Sequence, residues 1–119
     1  MNTKICTSIK QSQKLQELGI DVKTANMCWS IDIPDLPTLL AYPITDCDNW
    51  ENKIPAWSPC DLVKLMPERI KINGELSFCL SMKKSPTGYG FTYGTDETTF
   101  CNDSLIDAAY EMVVWLKEC

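Results

Sequence analysis

The sequence predicts an α+β domain, an antiparallel sheet of about five to six strands in hairpins and a meander, with N-terminal, short middle and C-terminal helices packed on it. Three observations carry this. Ser8-x-x-Gln11 and Ser104-x-x-Asp107 have capping-box spacing and each opens an amphipathic stretch. Between them apolar residues recur at period two, and Asn73-Gly74 supplies a hairpin turn. The 119 residues contain no internal repeat and no Gly/Ser linker, which fits one domain over residues 1–119.

The first helix starts at Ser8-Ile9-Lys10-Gln11, where two side chains satisfy orphan backbone N–H groups, and runs from Ile9 to about Leu18. Ile9, Leu15 and Leu18 form a sparse apolar stripe, and Gly19 can take the left-handed conformation that closes a helix. From Met27 the period falls to two. Met27, Trp29, Ile31 and Ile33 share one face of a half-buried strand, with Cys28, Ser30 and Asp32 on the other. Pro34 ends it, and Leu36 to Tyr42 returns as a strand whose start Pro37 weakens or places at an edge. Residues 45–52 read as a polar loop. Ile54-Pro55-Ala56-Trp57 then leads into a short helix, with Ser58 as its cap, Pro59 at the first helical position and Asp61 near the positive end of the dipole. Leu62, Leu65 and Met66 are its buried face, and Pro67 ends it.

Ile70 to Ile72 and Leu76 to Met82 are strands around Asn73-Gly74. A two-residue loop would put their apolar sets on opposite faces of the ribbon. A three-residue connection is therefore expected, setting Ile72 opposite Leu76 and Ile70 opposite Phe78. Ser85-Pro86-Thr87-Gly88 is a turn, and Tyr89 to Tyr93 alternates aromatic and small residues as another strand. Gly94-Thr95-Asp96 turns the chain into a last strand, Thr98 to Cys101. In the final helix Leu105, Ala108, Ala109, Met112, Val113 and Leu116 fall at spacings of three and four, the stripe of a helix on a sheet.

Composition narrows function. Eleven basic and 16 acidic residues give a net charge of -5, with Arg69 the single arginine, which argues against long nucleic acid. Histidine is absent, which removes the commonest general base and metal ligand and every Ser-His or Cys-His nucleophile. No apolar run approaches the ~18–20 residues that span a bilayer, and Met1 to Lys10 lack a signal pattern, so a cytoplasmic location without membrane contact is expected. Seven cysteines, an odd number, then read as reduced thiols.

Several stretches carry a resemblance: Cys6-Thr7-Ser8-Ile9 with Gln11-Ser12, Leu18-Gly19-Ile20-Asp21, Thr24-Ala25-Asn26-Met27, Ile54-Pro55-Ala56-Trp57-Ser58, Leu65-Met66-Pro67, and Asp107-Ala108-Ala109-Tyr110-Glu111-Met112-Val113 with Trp115-Leu116. In this order they resemble a family of small proteins of gut Bacteroides-type bacteria and of their phages and mobile elements. The resemblance spans nearly the whole chain and departs from the family pattern at Asp46 to Glu51 and at Cys119. It implies a setting, not an activity: an accessory role in the host cytoplasm, including interference with a host defence system.

The candidate site residues each have a structural and a functional reading. Cys6, just before a helix start, is a small buried hydrophobe or a thiol activated by the helix dipole. The cysteines at 6, 28, 47, 60, 79, 101 and 119 form no Cys-x-x-Cys pair, so no zinc site is expected. Asp46, Asp48 and Glu51 lack the glycine and later glutamate of an EF-hand and read as a solvated acidic loop. Trp57 either fixes entry into the second helix or offers a stacking platform. Tyr89, Phe91 and Tyr93 share a face in a glycine-rich strand, near Lys83, Lys84 and Arg69, and form an ordinary aromatic strand or the wall of a pocket for a small anion. Trp50, among polar residues, is the aromatic most expected at the surface, as a protein contact or as a cover for the core edge.

The expected function is a non-enzymatic binding protein that sequesters a partner, with no cofactor and no metal. The partner is a host protein held through exposed aromatics, or a small nucleotide signal in an aromatic, weakly basic pocket at a homo-oligomer interface. The binding candidates are Trp50, Trp57, Arg69, Lys83, Lys84, Tyr89 and Tyr93. A structural component of a phage particle is the alternative. A third reading is an enzyme using Cys6 or the carboxylates Asp107 and Glu111, which a capping role and a solvated position explain as well.

Overall fold

The computed structural model describes residues 5–33, 35–72, 76–86, 88–93, 99–102 and 104–118. It has the expected α+β composition: α1 (Ile9–Glu17), β1 (Met27–Ser30), β2 (Thr38–Leu40), β3 (Lys53–Ala56), α2 (Pro59–Lys64), β4 (Arg69–Ile72), β5 (Leu76–Cys79), β6 (Ser81–Ser85), β7 (Gly88–Thr92), β8 (Thr99–Asn102) and α3 (Leu105–Glu118). Among the described residues the strands form three antiparallel sheets in the orders β2-β1-β3, β4-β5 and β6-β7-β8, where the sequence suggested one sheet. No helix among these residues is long and apolar enough to cross a membrane. The chain divides into two compact units, Ile5–Asp61 and Leu62–Cys119, the boundary falling inside α2.

In the first unit α1 begins as its sequence dictates. Gln11 N donates to Ser8 Oγ at 3.1 Å and Ser8 N donates to Gln11 Oε1 at 3.0 Å, a complete capping box. The helix stops by geometry as specific. Gly19, at φ +85°, donates to Gln16 O, and Ile20 N donates to Leu15 O, the two bonds of a Schellman closure, with Leu15 and Ile20 both buried.

The central strand of this unit's sheet corrects the expected burial. Cys28 is fully enclosed, while Met27 and Trp29 are half-buried and Ile33 is exposed, so the small-residue side is covered at Cys28. Strand geometry also ends at Ser30, before the alternating pattern does. The expected return strand shortens to β2, in register with Ser30 opposite Thr38 and Cys28 opposite Leu40. β3 is an addition, since Pro55 made residues 54–57 read as a lead-in. Proline is tolerated there because β3 is an edge strand, with Cys28 opposite Pro55. α1 packs on β3, and Leu15, Cys28, Ala56 and Trp57 are completely buried.

In the second unit the β4-β5 register is the expected one, Ile72 opposite Leu76 and Ile70 opposite Phe78; the connection, 73–75, lies outside the described residues. The single strand expected from Leu76 to Met82 divides at Leu80, whose N–H turns to Glu68 O, and the chain continues as β6 in a separate sheet. The meander β6-β7-β8 forms as expected, although its 94–98 connection is outside the described residues. α3 packs on β7 and β8 through Ile106, Ala108, Ala109, Met112 and Val113, with Leu105 and Leu116 half-buried at the margin of the stripe. Asp107 N donates to Ser104 Oγ at 3.3 Å, and Ser104 N donates to Asn102 Oδ1 at 3.1 Å, so the helix start is joined to β8.

Candidate functional site

The first unit concentrates exposed apolar side chains at one end of its sheet. Ser30 stands opposite both Thr38 and Lys53, so the β1–β2 connection and the turn entering β3 leave the sheet at the same end. That end carries Ile33 at 61%, Leu36 at 64% and Trp50 at 48% exposure. Leu36 N donates to Ile33 O at 3.0 Å, forming the tip; Lys53 N donates to Trp50 O at 3.1 Å and Ile31 N to Asn52 O at 2.9 Å, fixing the second turn beside β1. Asn52 sits at φ +59°, a left-handed position that asparagine tolerates better than most residues. Asp32, Asp35, Asp48 and Glu51 in these two connections are exposed.

Asp32 and Lys53 organise the base of this end. Lys53 Nζ lies 3.0 Å from Asp32 Oδ2, and Ser30 Oγ donates to the same oxygen at 3.0 Å. The Lys53 hydrogen bond, followed by that from Ser30, holds the Asp32 carboxyl below its ordinary range, and Asp32 in turn raises the Lys53 ammonium. The remaining carboxylates lend the apolar tip a negative rim.

Of the binding candidates read from the sequence, Trp50 belongs to this end, as do Asp48 and Glu51 of the acidic loop. Trp57 is placed elsewhere: it is 0% exposed, its Nε1 donates to Thr24 Oγ1 at 2.8 Å and its backbone N donates to Thr7 Oγ1 at 3.1 Å. Trp57 offers no free ring face to a base, and the helix-entry packing reading is the one its surroundings match. Tyr93 is likewise enclosed, with its hydroxyl donating to Pro67 O at 2.6 Å and burial raising its pKa.

Lys84 and Tyr89 do come together, opposite each other on β6 and β7. With Met82, Gly90, Phe91 and Leu105 they line a depression of about 260 Å³. Arg69 lies in a different one, of about 400 Å³, with Val63, Met66, Glu68, Cys79 and Leu80. The two cations therefore serve different depressions, and the one with Arg69 is also lined by Glu68. The Lys83 side chain lies outside the described residues.

The other candidates take structural places. Cys6 is buried. Asp46 closes a 3-10 turn, Ile44–Asp46, and Asp46, Asp48 and Glu51 are all exposed, with the Glu51 N–H bonded to Asn49 Oδ1 at 2.8 Å. Among the described residues no group of three or more Cys, Asp or Glu is arranged to hold a metal ion. Glu111 Oε1 accepts from Asn102 Nδ2 at 3.4 Å, tying α3 to β8.

Sequence reasoning missed Ile33 and Leu36, because their period-two pattern reads as strand and therefore as buried. The signal was present in Ile33-Pro34-Asp35-Leu36-Pro37: two prolines and an acid around the apolar pair interrupt a ladder. No protein-family model matches the chain, and neither does any curated protein or solved structure.

Proposed function

We propose that this chain is a non-enzymatic binding protein whose contact surface is the apolar end of the β2-β1-β3 sheet. The observation that carries the reading is the set Ile33, Leu36 and Trp50, each about half exposed or more, within a rim of Asp35, Asp48 and Glu51. Apolar anchors with tryptophan among them are the groups that dominate protein–protein contacts, and a rim of one charge selects its opposite. The partner is a protein with an apolar groove flanked by lysine and arginine. The family resemblance adds a setting for it, the cytoplasm of a bacterial host in which the chain acts as a phage or mobile-element accessory, sequestering a host protein.

The small-nucleotide reading has weaker support. The depression at Lys84 and Tyr89, about 260 Å³, is below the ~300–1,000 Å³ usual for small-molecule sites, and the larger one is lined by a glutamate as well as by its single arginine.

The test uses a photo-crosslinking residue at position 36 or 50, with position 10 on the exposed part of α1 as the control, in lysate of the native host. The expected result is one recurrent protein captured from 36 and 50 and not from 10. Purified, it binds the chain with a salt-sensitive affinity that L36S/W50S lowers by at least about tenfold, a loss of ~1.4 kcal/mol. Capture independent of position, or unchanged affinity in the double variant, overturns the reading.

A further inference from the structure

Cys28 and Cys47 are separated by 18 residues in the sequence, yet their sulfurs lie 3.9 Å apart. Cys28 is on the central strand β1 and is fully buried, whereas Cys47 follows the Ile44–Asp46 turn and is half-exposed. The Cys47 N–H is fixed to Ile44 O at 3.0 Å, so the thiol is presented by a hydrogen-bonded turn. Both residues belong to the first unit. Cys60 and Cys79, by contrast, are exposed thiols.

We infer that Cys28 and Cys47 form an oxidisable dithiol, a site at which a hydroperoxide is reduced and an intramolecular disulfide is made. The asymmetry in burial orders the two steps. The Cys47 sulfur, the one within reach of solvent, attacks the peroxide O–O bond; a sulfenic acid forms on Cys47 and water leaves. The Cys28 sulfur then attacks the Cys47 sulfur, and the displaced hydroxide departs as water with the Cys28 proton. The sum is two thiols and one hydrogen peroxide giving one disulfide and two waters, with the two electrons passing from sulfur to oxygen. A disulfide needs the sulfurs, now 3.9 Å apart, to approach to about 2.05 Å.

Burial pushes the Cys28 thiol up to about 11, the Cys47 thiol adds to that shift and Lys53 opposes it. Cys28 thus stays protonated near neutral pH and reacts poorly with oxidant itself, giving up its proton only in the step that displaces hydroxide from Cys47. The resulting bond closes a loop from β1 through β2 to the turn before Asp48. It constrains the connection that contains Ile33 and Leu36, although the dithiol inference does not depend on the proposed contact surface.

The experiment treats the reduced full-length protein with equimolar hydrogen peroxide, blocks remaining thiols under denaturing conditions and maps peptides without reduction. The expected product is a Cys28–Cys47 cross-linked peptide that predominates over every other disulfide. It persists in C60S/C79S and disappears in C28S and in C47S, and in C47S the loss of the solvent-accessible thiol also leaves Cys28 unoxidised. Circular dichroism confirms folding of each variant, and the C60S/C79S result stands even if C28S unfolds. Two results would overturn the inference: Cys47 carried on to the sulfinic acid while Cys28 stays reduced, or Cys47 joined to Cys60 or Cys79 in preference to Cys28.

Discussion

The two units reach order by different means. In the second, Leu62–Cys119, the chain is held by elements that are contiguous in sequence: a hairpin, a three-strand meander and a helix laid on its last two strands. Its buried set, including Phe91, Ile106, Ala108, Ala109, Met112 and Val113, follows the local periods of strand and helix. In the first, Ile5–Asp61, distant segments are joined by polar side chains. Thr7 Oγ1 meets Ser12 Oγ at 2.7 Å and accepts from Trp57 N, Trp29 Nε1 donates to Thr7 O at 2.9 Å, and Trp57 Nε1 reaches Thr24. Asp61 Oδ2 accepts from both Ser58 N at 3.1 Å and Asn26 N at 3.0 Å, capping α2 and holding the entry to β1 with one carboxylate oxygen. Periodicity orders one unit, and a polar network orders the other.

That contrast can be broken at four places. The largest effect is expected from Trp57→Ala, which empties a fully enclosed tryptophan site and should lower stability by about 3–5 kcal/mol in urea unfolding. Thr7→Val keeps the volume and removes the hydroxyl, leaving the Trp57 N–H without this acceptor. The expected loss is ~1–3 kcal/mol, with faster amide exchange concentrated in residues 5–61. A value near zero would remove the polar network as the explanation for this unit. Ser104→Ala deletes the cap of α3 and should cost about 1 kcal/mol, with faster exchange confined to residues 62–118.

The smallest expected effect is the pH response of Asp32. Its carboxyl is held below the ordinary range by Lys53 and Ser30, so its contribution is complete above the unfolded carboxylate value, about 3.9, and is lost as pH falls through the lower folded value. Stability of the wild type relative to Asp32→Asn should be flat from pH 7 to 5 and narrow only at more acid pH. A difference that closes above pH 5 would contradict the assignment.

Most local structure was legible in the sequence. Ser8 with Gln11, Ser58 as a cap and Ser104 with Asp107 marked three helix starts, and in all three the serine Oγ accepts from the backbone N–H three residues on. The β4-β5 register followed from requiring Ile70 and Phe78 to share a face. What escaped was non-local. Pro55 concealed an edge strand, Leu80 broke an apolar run that looked continuous, and Cys28 rather than its large neighbours became the most buried residue of β1. The candidate site was legible at Trp50, where a tryptophan among charged and amide residues indicated exposure, and at Asp48 and Glu51, read as a solvated acidic loop. The dithiol left no local trace, since its halves lie on a strand and a turn that meet through the fold.

The outer side of β3 has a consequence for how this protein behaves at high concentration. Asn52 O faces β1, so by alternation the backbone groups of Lys53, Pro55 and Trp57 face away from it. Lys53 N is bound to Trp50 O, Pro55 has no N–H, and Trp57 gives its N–H to Thr7 Oγ1 while its carbonyl accepts from Thr7 N at 2.9 Å. An incoming chain therefore finds no donor there with which to extend the sheet, and fibrillar growth from this border is disfavoured by covalent structure and by bonds already made.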